Sequence, residues 1–475
     1  MKTIPITKAK IVATYGPSIA DEAILEELIL SGLSVVRFNF SHGDHSFHKN
    51  GIATVRKLNQ KLGSHVAILG DLQGPKIRIG EIDGSIELVT GEQVIISPNE
   101  APCTTQHLTV RYPTLLKDIQ SGERILINDG RVEIRAVETK GDGILCDIIE
   151  GGVLTSRKGV NFPDSNLSVP TLTEKDEVDL VFAMEQEVNW VALSFVRKAK
   201  DMIGLKERLG ELNSFIKVIA KVEKPEALQN LEGIVEASDG IMVARGDLGV
   251  EIPQEQVPLS QKNIIQTCIR HAKPVIVATH MMESMIESPV PTRAEINDVA
   301  NAILDGADAV MLSGETSVGK YPLKTVQTMR SILDSIEARG HIFNKTRQAY
   351  AGSESYESDA LCNAACHLAQ QVEAKAIIGM TKSGYTAFMI ASTRPLVPVY
   401  IFTDNRPLLN TLNLLFGIHA FFYDGNSGTD ETIEEVIHIL KLHNFVTSDD
   451  LVVNLASMPF YIKGRTNTIK ITKVQ

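Results

Sequence analysis

Residues 215–251 read FIKVIAKVEKPEALQNLEGIVEASDGIMVARGDLGVE. The runs 216–220 and 240–244 are short, rich in apolar residues and sharply bounded, the pattern of strands buried on both faces. A helix-period segment over 227–237 separates them, so the stretch predicts one β-α-β unit. Each run ends in charge: Lys221 and Glu223 after the first, Arg245, Gly246 and Asp247 after the second. In parallel α/β folds ligands meet the C-terminal ends of the strands. One ammonium and two carboxylates converging there point to a divalent metal and an anionic substrate. A rim of mutual salt bridges is the other reading; against it stands the rarity of buried charge kept without a partner or a metal.

The same design recurs along the chain. Run 10–13 ends in Thr14-Tyr15-Gly16-Pro17. Run 33–38 carries Arg37 and ends in Asn39, Ser41, His42 and Gly43, and run 66–69 ends in Asp71. Run 190–193 ends in Ser194, Phe195 and Arg197, run 274–278 in Thr279, and run 309–312 in Ser313, Gly314 and Glu315. With the two strands above this makes eight runs with polar ends, interrupted once after the third. Eight β/α units predict a (β/α)8 barrel over 1–71 and 169–340, with its site at the strand C-termini. A doubly wound sheet is the alternative, and it would leave several of these polar ends too far apart to cooperate.

Residues 72–168 lose helical periodicity and carry turn signals at 82–84, 128–130 and 141–143. They predict a β-rich insertion. Residues 345–475 alternate helix and strand patterns again and predict a doubly wound α/β domain.

The chain has 475 residues, 43% hydrophobic and 22% charged, enough for several cored domains. A net charge of −11 disfavours nucleic acid or an acidic membrane surface as a general partner. No apolar run reaches the ~20 residues of a membrane helix, and the start, MKTIPITKAKIVATYGP, lacks signal-peptide architecture. The five cysteines form no disulfide or zinc framework, and Cys362 and Cys366, one helical turn apart, read as packing thiols. These features predict a cytoplasmic protein.

Two motifs mislead. Gly314–Lys320 matches most of a phosphate-binding P-loop, but Tyr321 stands where a Mg²⁺-binding Ser or Thr belongs. His42, His45 and His48 sit three apart without carboxylates or thiolates at metal-ligand spacing, and read better as the opening of a helix. Arg37, Arg78 and Lys158 each lie beside Gly, Asn or Ser-rich turns, as phosphate-binding cations do.

VVRFNFSHG, DLQGPKIR, KGVNFPD, AKVEKPEAL, IMVARGDLGVEIP, VATHMMESM, PTRAE and MLSGETSVGKYP follow one another in this order. In these segments, and across essentially the whole chain, the sequence resembles the pyruvate kinase family. The resemblance implies that the insertion is a small β-barrel lid and the C-terminal domain regulatory, and it implies phosphoryl transfer from phosphoenolpyruvate to ADP, giving pyruvate and ATP. It implies that Lys221 stabilises the moving phosphoryl, that Glu223 and Asp247 hold Mg²⁺ (or Mn²⁺), and that Arg37 binds substrate phosphate. Gly246, Asp247 and Thr279 would meet the carboxylate end of the substrate, with Thr279 on the proton path to the enolate. Asn39, Ser41, His42, Arg78 and Lys158 would contact nucleotide. Asn39, Ser41 and Asp71 match the monovalent-cation ligands of the family. A Mg²⁺-dependent pyruvate aldolase-type barrel and a catalytically silent metabolite-binding protein are the alternatives. The first has no use for the lid or the C-terminal domain; the second would have lost Lys221, Asp247 or Thr279.

Two further expectations concern control. Thr381, Lys382, Ser383, Gly384 and Thr386 follow a strand and open a helix, an arrangement suited to phosphate, and resemble the allosteric phosphate loop of the family. They predict a phosphorylated sugar or nucleotide monophosphate effector, within a homotetramer. Potassium-requiring members read D-T-K-G-P-E-I-R-T where this chain has Leu72, Lys76 and Ile79. The Lys76 ammonium is expected to take the place of K⁺.

Overall fold

In this computed structural model, which describes residues 5–212, 214–339, 355–425, 428–457 and 466–475, the eight apolar runs are strands. They are Lys10–Thr14, Leu33–Asn39, Ala67–Asp71, Trp190–Leu193, Lys217–Val222, Gly240–Ala244, Val275–Ala278 and Ala309–Leu312. All pair in parallel in chain order, and the first closes on the last with Lys10 opposite Ala309. Side chains alternate across the wall. Val12, Val35, Leu69, Trp190, Ile219, Met242, Ile276 and Met311 fill the interior. Ile11, Val36, Ile68, Val191, Val218, Val243, Val277 and Val310 pack against the surrounding helices. Both faces are dry, which is why each run is apolar throughout instead of alternating.

Local chemistry sets the helix ends. The Asp44 carboxylate caps His45–Leu62 by accepting from the Phe47 N–H at 2.7 Å, and Gly63 ends it at φ +64°. The histidines at its start diverge: His45 Nε2 lies 2.8 Å from Asp179 Oδ1, and His48 Nε2 lies 2.8 Å from His42 O. Thr292 and Glu295 form a reciprocal capping box on Arg293–Asp305. One expected helix is broken: 227–237 becomes Pro225–Gln229 and Leu231–Ala237. Between them the Asn230 amide donates to Arg197 O and Glu226 O, each at 3.0 Å, a local competitor for the helical ladder. The charges after Gly240–Ala244 also open a short helix, Arg245–Glu251.

Between the third and fourth barrel strands the chain forms a six-stranded sheet and a two-stranded pair, Ile86–Leu88 with Gly152–Leu154. The long hairpin Val132–Lys140/Gly143–Glu150 turns at Gly141 with φ +64°. Asn128, Asp129 and Gly130, all left-handed, make the preceding turn.

The C-terminal sheet has the order Ile418–Phe422, Val399–Thr403, Ala376–Met380, Leu451–Ala456, Thr468–Lys473, with only the last strand antiparallel. Both faces are covered. Ile377, Ile401 and Val453 join Cys362 and Cys366 in one core, while Ile378, Tyr400 and Phe402 meet the helix Thr429–Leu442 in another. Ile418–Phe422 was not expected from the sequence. It is a half-buried edge strand with a histidine at its second position, so its apolar pattern is weak.

The C-terminal domain plugs the N-terminal mouth of the barrel. Leu414 enters the interior cluster, and the Trp190 indole donates to Thr411 O at 3.1 Å. Arg394 forks onto Asp308 through two contacts of 2.7 and 2.8 Å. The opposite end, where the polar strand ends lie, faces the insertion.

Candidate active site

Strand register brings the first charges together. Asn39 sits opposite Asp71, so Arg37 lies two residues before the end of one strand, beside the end of the next. Its Nε donates to Asp71 Oδ2 at 2.6 Å and its Nη1 to Thr14 Oγ1 at 2.9 Å. Asp71, 1% exposed, also lies 3.3 Å from the Lys221 ammonium through Oδ1. Lys221 reaches Glu223 Oε1 at 2.9 Å and the Ser194 hydroxyl at 2.7 Å. The second Glu223 oxygen accepts from the Phe195 N–H at 2.8 Å. Cations and carboxylates thus alternate across three strand ends: Arg37, Asp71, then Lys221 and Glu223.

Burial shifts these groups in a definite way. It penalises the Lys221 charge, but Asp71 and Glu223 more than offset that, so its pKa is raised. Burial likewise works against the Asp71 charge, and Lys221 and Arg37 overcome it and hold the carboxyl below its usual range. Glu223 differs. Burial, reinforced by the Asp247 charge, pushes it up, and Lys221 opposes this only in part. Two carboxylates of which one resists ionisation are a natural seat for a divalent cation. Among the described residues no third His, Cys, Asp or Glu completes a protein-only cage. That fits Mg²⁺, which commonly takes one or two carboxylates and leaves the rest to phosphate and water.

On the next strand end, Thr279 has φ +67° and His280 φ +55°. A β-branched residue there is under strain of roughly 1–3 kcal/mol. The surrounding bonds hold it. Arg245 donates to Thr279 O at 2.7 Å and is anchored on Asp298 at 2.7 Å, while the Gly246 N–H meets Thr279 Oγ1 at 2.6 Å. A Cβ on Gly246 would stand 3.3 Å from that hydroxyl, so the close approach favours glycine.

The insertion contributes Arg78, opposite Gly159 in an antiparallel bridge, and Lys158, whose carbonyl accepts from the Ile79 N–H at 2.9 Å. Burial, followed by the charges of Arg78, Arg37 and Lys76, lowers the His42 pKa. A cleft between insertion and barrel is lined by Lys76, Ile77, Asn161, Phe195, Lys224 and Asp247.

Several residues stand elsewhere than expected. The Lys76 ammonium lies 3.9 Å from Asp247 Oδ1, and among the described residues no ion pair or hydrogen bond joins it to Asn39, Ser41 or Asp71. Asn39 Oδ1 accepts from the Ser41 N–H at 3.2 Å, whereas Asp71 is engaged by Arg37 and Lys221. In the C-terminal domain, Thr381–Thr386 caps itself. The Gly384 and Tyr385 N–H groups meet the Thr381 and Ser383 hydroxyls at 3.0 and 3.4 Å, and Thr386 is buried against Thr466 at 2.8 Å. Lys382 and Ser383 remain exposed, with Lys382 3.7 Å from Asp404. Thr14 and Ser194 carried no role in the sequence reading. Their one signal was their place at the end of a barrel strand.

The family model for the pyruvate kinase barrel domain matches residues 6–326, and that for the pyruvate kinase alpha/beta domain matches residues 359–472. The chain belongs to the pyruvate kinase family. Pyruvate kinase from Corynebacterium glutamicum is 42% identical over 98% of this chain and 97% of its own length. Pyruvate kinase 2 from Synechocystis is 41% identical over 100% of this chain and 81% of its own. A crystal structure of a pyruvate kinase from Cryptosporidium parvum superposes with a TM-score of 0.91 at 32% identity, covering 99% of this chain and 96% of that one. Like its family, the chain is a phosphotransferase.

Proposed function

We propose that the chain transfers the phosphoryl group of phosphoenolpyruvate to ADP with Lys221, Arg37 and Thr279 as its working groups. The observation that carries this is the buried Lys221 ammonium, charged because Asp71 and Glu223 surround it, at the mouth of the barrel. Phosphoryl transfer requires little covalent work from the protein. It needs fixed positive charge along the path of the moving group. Lys221 and Arg37 supply it from the barrel floor; Arg78 and Lys158 supply it from the insertion, where nucleotide phosphates would lie beside Asn39 and His42. Glu223 and Asp247 would hold Mg²⁺ (or Mn²⁺), which when bound neutralises charge on the phosphoryl and enolate oxygens. The Thr279 hydroxyl and the Gly246 N–H lie where the carboxylate end of the substrate would be held, and Thr279 stands on the proton path to the enolate carbon. A coupled assay with phosphoenolpyruvate, ADP and Mg²⁺ tests the reading. Turnover without ADP, or none with it, would overturn it. An aldolase-type barrel would have no use for the insertion or the C-terminal domain.

Potassium independence belongs to the same proposal. Lys76 brings an ammonium within 3.9 Å of Asp247, and that positive charge would stand in for the one a bound K⁺ supplies. Activity in tetramethylammonium buffer is expected to approach that in potassium. Lys76→Glu should lower it roughly fivefold or more, a half-exposed charge being worth about 1 kcal/mol, and should create a potassium response. A wild-type enzyme inert until potassium is added would return the ion to Asn39, Ser41 and Asp71.

For control, Thr381, Lys382, Ser383, Gly384 and Thr386 are proposed as the seat of a phosphorylated sugar or nucleotide monophosphate, chiefly through the exposed Lys382 and Ser383. Ser383→Asp should abolish activation by repulsion and leave turnover without effector unchanged; an unaltered activation curve moves the site elsewhere. A homotetramer is proposed as well, because closed symmetric assemblies prevail among soluble enzymes. Leu259, Val290 and Val318 are apolar and exposed in the single chain. Light scattering at working concentration checks the assembly.

A further inference from the structure

We propose that Ser194 is a positioning residue for Lys221, tying the ammonium of that lysine to the first turn of the insertion. The inference rests on the reading of Lys221 as the group that meets the transferring phosphoryl.

The Lys221 ammonium donates to the Ser194 hydroxyl at 2.7 Å and forms ion pairs with Glu223 at 2.9 Å and Asp71 at 3.3 Å, the last without hydrogen-bond geometry. The two carboxylates have other partners. Asp71 is held by Arg37 through its other oxygen, and Glu223 belongs to the pair suited to a divalent cation. Ser194 has no competing claim. Its own hydrogen is committed to Leu72 O at 2.8 Å, so toward Lys221 the hydroxyl can only accept, and in a fixed direction. When substrate draws one N–H away from a carboxylate, this contact is the one that need not change.

The anchor itself is rigid. Ser194 is 2% exposed and directly follows the strand Trp190–Leu193. Leu72 follows Asp71, and its N–H donates to Ala192 O at 3.0 Å, so the first residue past the third strand is stitched to the fourth. Gly74 lies flush on the same corner: a Cβ there would stand 2.8 Å from the Phe195 ring and 2.9 Å from Ser194 Cβ. Phe195 sits at φ +56°, an uncommon conformation for an aromatic residue, and that aims its N–H at Glu223. One dipeptide therefore orients both Lys221 and Glu223 and bears on the chain as it enters the insertion. Such supporting partners govern how well a reacting group is aimed.

The test uses the full-length enzyme with phosphoenolpyruvate, ADP and Mg²⁺. Ser194→Ala should lower kcat roughly 10–100-fold, the usual effect of losing a partner that orients a working group. KM for phosphoenolpyruvate and the dissociation constant of Mn²⁺, read by electron spin resonance, should stay within about threefold. Ser194→Thr keeps the hydroxyl and should restore kcat to within about threefold of wild type. Ser194→Cys, nearly isosteric but a poor acceptor, should show the same deficit if the alanine variant does not fold. In a Lys221→Met background, Ser194→Ala should add no further loss, because its effect runs through that ammonium. A kcat for Ser194→Ala within about threefold of wild type, a threonine variant as poor as alanine, or losses that multiply in the double variant would each overturn the proposal. Retention of most activity by Lys221→Met alone would instead remove the role of Lys221 itself, and this inference with it.

Discussion

Lys221→Met is expected to lower kcat by on the order of a thousandfold or more, the effect of removing one preorganised charge from a water-poor site. The geometry makes the loss specific to turnover. Lys221 is the cation shared between Asp71 and Glu223, yet Asp71 keeps Arg37 at 2.6 Å, so the barrel floor retains one satisfied pair. Glu223 keeps the Phe195 N–H and loses a competing cation, so the carboxylate stays available to a divalent metal. KM for phosphoenolpyruvate should therefore change by only about threefold, because the missing interaction belongs chiefly to the transition state. Steady-state kinetics with a Mn²⁺ titration on the same variant separates the two effects. A variant that keeps most of its kcat, or whose whole defect lies in KM, would show that Lys221 is only a structural counter-charge.

Asp308→Ala is expected to lower stability sharply. This carboxylate, with a side chain 4% exposed, takes four hydrogen bonds. Two come from the Arg394 fork at 2.7 and 2.8 Å, one from the Phe416 N–H at 3.0 Å and one from the Val275 N–H at 2.9 Å. Arg394 is 2% exposed, lies over the Phe416 ring at 4.5 Å and ends the helix Tyr385–Thr393 in a left-handed conformation. Truncating Asp308 leaves a buried guanidinium without its counter-charge at the junction of barrel and C-terminal domain. The expected loss is about 3–5 kcal/mol, seen as a lower denaturant midpoint and earlier proteolysis between the domains. Asp308→Asn combined with Arg394→Met should recover part of it, because an apolar replacement removes the stranded charge. If the double variant is no better than Asp308→Ala, packing at Asp308 matters more than its charge.

The sequence determined the outline of this protein because the outline is written in local periods. A strand dry on both faces must be a short unbroken apolar run, and a parallel barrel must bring the ends of those runs to one rim. Eight runs and their polar last residues, Arg37, Asp71, Lys221, Glu223, Asp247 and Thr279 among them, could be named before any pairing was known. Which of them touch was decided only by closure of the barrel. Arg37 and Asp71 are 34 residues apart, Ser194 and Lys221 27, and Arg394 and Asp308 86. No local pattern reports contacts at such separations. The directions of those contacts depend further on backbone angles that composition does not announce, φ +56° at Phe195 and φ +67° at Thr279. For that reason Lys76 could be recognised as an unusual charge but not as a neighbour of Asp247, Ser194 could be seen as a strand end but not as the seat of Lys221, and the turn at Thr381–Thr386 could be read as open where its hydroxyls already cap its own N–H groups. Ile418–Phe422 was missed for a related reason: an edge strand is only half covered, so burial leaves too faint a mark on its sequence.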